Sequence, residues 1–161
     1  CDEAELWVNG VFSERVSVQK NGHIYFKNID YKKGEIKAVG FVDGNAVCEH
    51  ILTAAQSPEK IVLAVDGSYK SKDNRRYSIV NVHTVDKNGT FVPFADNEIA
   101  INVSGGKIIG VGNGDPALHT AATASRIRLF AGRSQIITEC EEKNATLEVK
   151  AYGVIGSSVT V

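Results

Sequence analysis

The sequence predicts an all-β fold, and three observations predict it. Apolar and polar residues alternate with period two along much of the chain, as in Ile99-Ala100-Ile101-Asn102-Val103. Turns rich in glycine, asparagine and aspartate interrupt the alternation at short intervals. No stretch of useful length carries a helical period. Residues 117–125 are alanine-rich, but their threonines and position favour a loop.

Glu5-Leu6-Trp7-Val8 opens the first strand almost at the start of the chain. Asn21-Gly22 is a hairpin signal and introduces an expected strand, His23-Ile24-Tyr25-Phe26-Lys27. A turn at Gly34 leads into Glu35-Ile36-Lys37-Ala38-Val39-Gly40-Phe41-Val42. Asp43-Gly44 then turns the chain into residues 46–52, forming a short-loop hairpin. Ala55-Gln56-Ser57-Pro58 breaks the pattern, because proline supplies no donor to a ladder. A domain boundary is expected here, dividing the chain into residues 1–56 and 57–161.

The second series begins at Lys60-Ile61-Val62-Leu63-Ala64-Val65. Residues 77–85 follow, then a turn at Asp86-Lys87-Asn88-Gly89 and the alternating 99–103 segment. Ser104-Gly105-Gly106 turns into Lys107-Ile108-Ile109-Gly110-Val111. Residues 134–140, 145–151 and 157–161 are the last expected strands. About seven strands in roughly 100 residues fit an immunoglobulin-like sandwich, without the Cys–Trp–Cys core of antibody domains. The expected architecture is therefore two tandem immunoglobulin-like β-sandwich modules. The first, with about five strands, is either small or truncated at its opening strand.

Composition narrows the function classes. The chain has 161 residues, 43% hydrophobic, with a formal net charge of −1. No basic stripe is present, so a nucleic-acid partner is not expected. No apolar run approaches the roughly 20 residues of a membrane span. Methionine is absent, which suggests a processed chain or a piece of a longer one. Cys1 fits either a boundary of such a piece or the lipidated first residue of a lipoprotein. Cys48 and Cys140 lie in strand-like segments and are expected to be buried thiols. Spacing leaves a Cys1–Cys48 bridge open.

The run Gly110-Val111-Gly112-Asn113-Gly114-Asp115-Pro116 is the densest turn chemistry in the chain. Its glycine spacing is wrong for a dinucleotide loop, no Lys-Ser/Thr follows as in a phosphate loop, and one Asp cannot make a calcium loop. No cofactor or metal is expected. A shaped turn explains it: glycines supply positive φ, and Asn113 and Asp115 bond nearby backbone. Asn113, Asp115 and the adjacent His119 are nevertheless the positions where a ligand would be sought. Glycosidase chemistry needs two opposed carboxylates, and the acids here are scattered, with Glu141-Glu142 a solvated turn pair. No nucleophile elbow occurs, and the four histidines sit in unrelated segments, so no catalytic residue is expected. Trp7, Phe12, Tyr25, Phe26, Tyr31 and Phe41 are assigned to core packing in preference to a sugar platform. Sequons at Asn88, Asn102 and Asn144 are taken as incidental.

Several motifs in order carry a family resemblance. Residues 1–10, ending Glu5-Leu6-Trp7-Val8-Asn9-Gly10, and residues 29–39, containing Tyr31-Lys32-Lys33-Gly34-Glu35, resemble an accessory module of bacterial glycoside hydrolase family 2 β-galactosidases. Val85-Asp86-Lys87-Asn88-Gly89, Val92-Pro93 with Ala95-Asp96-Asn97, Ile109 to Pro116, and Phe130-Ala131-Gly132-Arg133 are similar to that family's C-terminal immunoglobulin-like domain. Two departures stand out. Ala131 replaces a frequent Asn, and His119-Thr120 stands where His-Glu is frequent, which removes an acid from the loop. The resemblance implies a secreted or periplasmic bacterial parent, a retaining β-galactosidase whose catalytic glutamates lie in an upstream barrel. For this chain it implies packing against that barrel, shaping the rim of its site, or weak carbohydrate binding. Immunoglobulin-like repeats also occur in bacterial surface adhesins, so an adhesion module is the competing class.

Overall fold

The computed structural model describes residues 1–141 and 145–161, and the described residues contain twelve strands and no helix. The all-β expectation is met. The sequon at Asn144, and Glu142 of the expected turn pair, lie outside the described residues. The chain forms two compact units, Cys1–Ala54 and Ala55–Val161.

The first unit is a single antiparallel sheet. Strands β1 (Glu3–Val8), β2 (Val11–Ser17), β3 (Glu35–Val42) and β4 (Asn45–Thr53) are ordered β2-β1-β3-β4. Its two hairpins close on two-residue turns with positive φ at both positions: Asn9 52° with Gly10 77°, and Asp43 48° with Gly44 76°. Asn-Gly and Asp-Gly fill such type I′ turns because both pairs tolerate left-handed backbone. Asn9 does more than turn. Its Oδ1 accepts from Glu35 N at 2.7 Å and its Nδ2 donates to Lys33 O at 3.3 Å. Gly34 leaves room for this, since a Cβ there would overlap the Asn9 amide.

Three sequence expectations fail in this unit. Residues 23–27 form no strand; Gly22 N bonds Gln19 O in a local turn, and the chain runs on to β3 without a ladder. Cys48 is exposed, because β4 is an edge strand exposed along its whole length. The aromatics do not all pack inward: Tyr25, Tyr31 and Phe12 are exposed. A single sheet of this size has too little interior for them, and its buried apolar positions are Ala4 and Leu6. Trp7 and Phe12 meet edge-on at 5.5 Å, and the Arg15 guanidinium lies 4.1 Å from the Phe41 ring centroid.

The second unit is a sandwich. Strands β5 (Lys60–Lys70), β6 (Arg76–Val85), β8 (Gly106–Gly112) and β10 (Arg133–Cys140) make one sheet. Strands β7 (Glu98–Ser104), β9 (Arg126–Arg128), β11 (Thr146–Ala151) and β12 (Val154–Thr160) make the other. One parallel bridge, Ile155 to Lys60, joins them at β5 and β12. Strands β2 and β9 were not anticipated: the first has no clean apolar face and the second is three residues long. The core interleaves both sheets: Ile61, Val80, Val82 and Ile136 meet Ile99, Ile101, Ile127, Leu129, Leu147 and Val149. Cys140 is buried there as expected, with Sγ 3.9 Å from Ser78 Oγ.

Asp86 holds one end of this sandwich. Its carboxylate accepts from Gln56 N, Asn88 N and Thr90 N, each at 2.9 Å, and the residue is buried. These bonds, the Gln56 amide foremost, hold its carboxyl below the ordinary carboxylate range. They pin the 55–58 segment to the β6–β7 turn and, among the described residues, no side-chain cation pairs with the carboxylate.

The β9–β10 connection closes on Ala131 (φ 49°) and Gly132 (φ 71°), with Phe130 bridged to Arg133. Gly132 N donates to Ala95 O at 3.0 Å, and a Cβ on Gly132 would sit 2.1 Å from Val92 O. Alanine is the wrong residue for a left-handed first turn position, and asparagine the better one.

Two outcomes are expected. Ala131→Asn raises unfolding stability by about 0.5–1 kcal/mol in denaturant titration, whereas Gly132→Ala lowers it severely. The depressed carboxyl of Asp86 contributes stability above its unfolded value near ~3.9, lost as pH falls through the lower folded value. Asp86→Asn therefore lowers the melting midpoint at pH 7 and flattens the decline below about pH 4 relative to the parent chain.

Candidate functional site

The glycine run lies on β8 and in the loop after it. Gly110 and Gly112 alternate, so both present their bare α-carbons on the face of the sheet away from the core. Register sets Gly112 opposite Gln135, and Gln135 opposite Asn81. One row across three strands is thus a glycine followed by two amides. The next row is Gly110, Ile137 and Ile79. With no side chain on β8 at these points, an open cleft of about 630 Å³ lies beside the loop, bounded also by Asn113, Ala122 and Arg133. A Cβ on Gly112 would meet nothing within 4 Å, while one on Gly110 would press Ile137 Cδ1 at 3.2 Å.

The loop spends its polar side chains on itself. Asn113 Nδ2 donates to Arg128 O at 2.9 Å, and Asn113 Oδ1 accepts from Asp115 N at 2.9 Å. Asp115 Oδ1 accepts from Ala117 N at 2.8 Å. These are consecutive Asx turns, the shaped turn the composition suggested. Asn113 and Asp115 are brought together, and Asn113 lines the cleft. His119 is exposed on the same loop and, among the described residues, makes no hydrogen bond to Asp115.

Sequence reasoning missed the cleft's own polar groups. Gln135 Nε2 donates to Asn81 Oδ1 at 2.9 Å. That bond leaves one amide N–H2 and one amide C=O of the pair unused, and exchanging both amide orientations leaves the same two groups. The signal was present only as amides at outward positions of two strands that the sequence does not pair. Arg133 lies 4.2 Å over the Phe91 ring, which also meets His83 edge-on. Partial burial, and then the Arg133 charge, lower the His83 pKa.

The chemistry open to this surface is narrow. Among the described residues, none lining the cleft is an acid, a histidine or a cysteine, and its one hydroxyl, Ser134, donates to Gly112 O at 2.9 Å with no neighbouring base to activate it. Among the described residues, no three histidine, cysteine or acidic side chains are grouped to hold a metal. No helix of the described residues is long and apolar enough to cross a membrane.

The second unit is thus an immunoglobulin-like sandwich with an open cleft on one outer face. Residues 61–160 match the Glycoside hydrolase family 2 C-terminal domain 5, and the chain belongs to that family. Residues 1–48 match a domain of unknown function, DUF4982. The chain is 26% identical over 178 residues to a beta-galactosidase of Thermoanaerobacter pseudethanolicus, covering 95% of this chain and 23% of that protein. It is 28% identical over 166 residues to a putative beta-glucuronidase of Formosa agariphila, covering 97% and 16%. The chain thus spans less than a quarter of the curated relatives it matches. A beta-glycosidase from Bacteroides vulgatus shares 25% identity over all of this chain and 21% of its own, with a TM-score of 0.83. A glycosyl hydrolase family 2 member from Bacteroides cellulosilyticus reaches 0.88 at 24% identity, over all of this chain and 23% of its own, a likeness of fold. The family resemblance carried by the motifs is therefore correct.

Removing the Asn113 amide, with its bonds to Arg128 O and Asp115 N, tests the loop. Asn113→Ala is expected to cost about 1 kcal/mol of stability, because two hydrogen bonds are lost at a partly exposed site. His119→Ala is expected to change the denaturation midpoint hardly at all.

Proposed function

We propose that this chain is a non-catalytic accessory part of a bacterial family 2 glycosidase, with β-galactosidase the leading activity of the parent. It packs against the parent's catalytic barrel and shapes the rim of its site. One observation carries the reading: a match across nearly the whole chain to such enzymes coincides with a cleft lined, among the described residues, by no acid, histidine or cysteine. The functional division falls at residues 1–56 and 57–161. The parent acts outside the cytoplasm.

Carbohydrate contact is the finer part of the reading. The Asn81–Gln135 pair presents one donor and one acceptor side by side, the pattern that meets adjacent sugar hydroxyls. Asn113 stands at the edge of the same cleft, while Asp115 and His119 lie further along its loop. Among the described residues no exposed aromatic lines the cleft, so binding is weak.

Two measurements test this. The purified chain is expected to release no chromophore from aryl β-galactosides or β-glucuronides; turnover that persists through purification would refute the accessory role. Galactose titrated into isotopically labelled chain is expected to shift the Asn81 and Gln135 side-chain amides, with a Kd on the order of 1 mM or weaker. Gly112→Val, which fills the cleft at little structural cost, is expected to abolish those shifts. Unchanged amide signals in the parent chain would remove the carbohydrate reading alone.

A further inference from the structure

We propose that Cys1 and Cys48 form a disulfide-forming dithiol built over Gly40. The two sulfurs lie 3.5 Å apart, in contact, although 47 positions separate the residues in sequence. Cys48 on β4 stands directly opposite Gly40 on β3, and Ala4 on β1 stands opposite Gly40 from the other side. Cys1 precedes the β1 ladder, and its sulfur reaches over β3 from that side. The residue that would block the meeting is absent. A Cβ on Gly40 would lie 2.5 Å from Cys1 Sγ and 2.7 Å from Cys48 Sγ, so both sulfurs occupy the space a side chain would fill.

A disulfide requires the sulfurs to close to about 2.05 Å. Cys48 is paired in the ladder, with the register shift just beyond it between Gly40 and Phe41, while Cys1 lies outside the ladder, so the closing movement falls chiefly on Cys1. Both cysteines are exposed and open to a dissolved oxidant, whereas the third thiol, Cys140, is buried among Ser78 and Thr138. The co-reactant is a small-molecule disulfide such as oxidised glutathione. One cysteine thiolate attacks it, forming a mixed disulfide and releasing one reduced thiol. The second thiolate attacks the protein sulfur of that mixed disulfide, forming the Sγ–Sγ bond and releasing the second thiol. Two cysteines lose two electrons and two protons, and one glutathione disulfide gains them. The product ties the entrance of the first unit to its edge strand and closes a loop across β1, β2 and β3.

The 161-residue chain, reduced and then equilibrated with oxidised glutathione, tests the assignment. Two of the three thiols are expected to disappear, with a mass loss of two hydrogens and one peptide cross-link, Cys1 to Cys48. The melting midpoint is expected to rise by about 5 °C or more and to fall back with dithiothreitol, because the bridge restricts the unfolded chain. Cys48→Ser and Cys1→Ser, both at exposed positions, are each expected to stop the mass loss and the midpoint rise while leaving the reduced midpoint unchanged. Gly40→Ala, with all three thiols present, is expected to slow bridge formation at least tenfold. Stable glutathione adducts on both Cys1 and Cys48, cross-links only between molecules, or a bridge that involves Cys140 would each overturn the proposal.

Discussion

Burial of two facing rows of aliphatic side chains is the constraint from which the second unit follows. Ile61, Val80, Val82 and Ile136 from one sheet, and Ile99, Ile101, Leu147 and Val149 from the other, lose their contact with water only if the sheets close on each other. Each is flanked by residues that face outward, so fixing the inner row fixes the outer one too. That is how Asn81 and Gln135 come to lie side by side, and how two glycines of β8 come to face away from the core. The cleft is therefore set by the core.

The first unit has no such closure. Its four strands form one sheet, its buried apolar positions are few, and much of its order comes from turns and side-chain clamps. Asn9 serves both purposes, bending one hairpin while holding the approach to β3. Small units lean on specific contacts of this kind because their interior is too small to do the work alone.

Much of the fold was legible because hairpins declare themselves. Residues 35–42 alternate and end on Asp43-Gly44, and β3 spans those residues. Ile99 to Val103 alternates in the same way within β7. What failed was context. His23 to Lys27 has strand-forming residues, yet no partner strand is available to it, and propensity without a partner makes no ladder. Cys48 alternates like a core residue, but edge position decides its exposure. The candidate site was half legible. The glycine run marked the right place, and the Asx turns of Asn113 and Asp115 follow from their chemistry. The amide pair was invisible, because it depends on a register between strands 54 positions apart.

The cleft on β8 is made by omission. Nothing was inserted to form it; two side chains are missing from an edge strand, and at Gly112 the vacated space is still empty. A surface formed in this way is easily rewritten. A single base change can give position 112 a methyl or a longer side chain with no rearrangement of the backbone, while position 110 resists because Ile137 already leans into it. A change at position 112 can thus alter what this face touches while the core beneath it stays as it is.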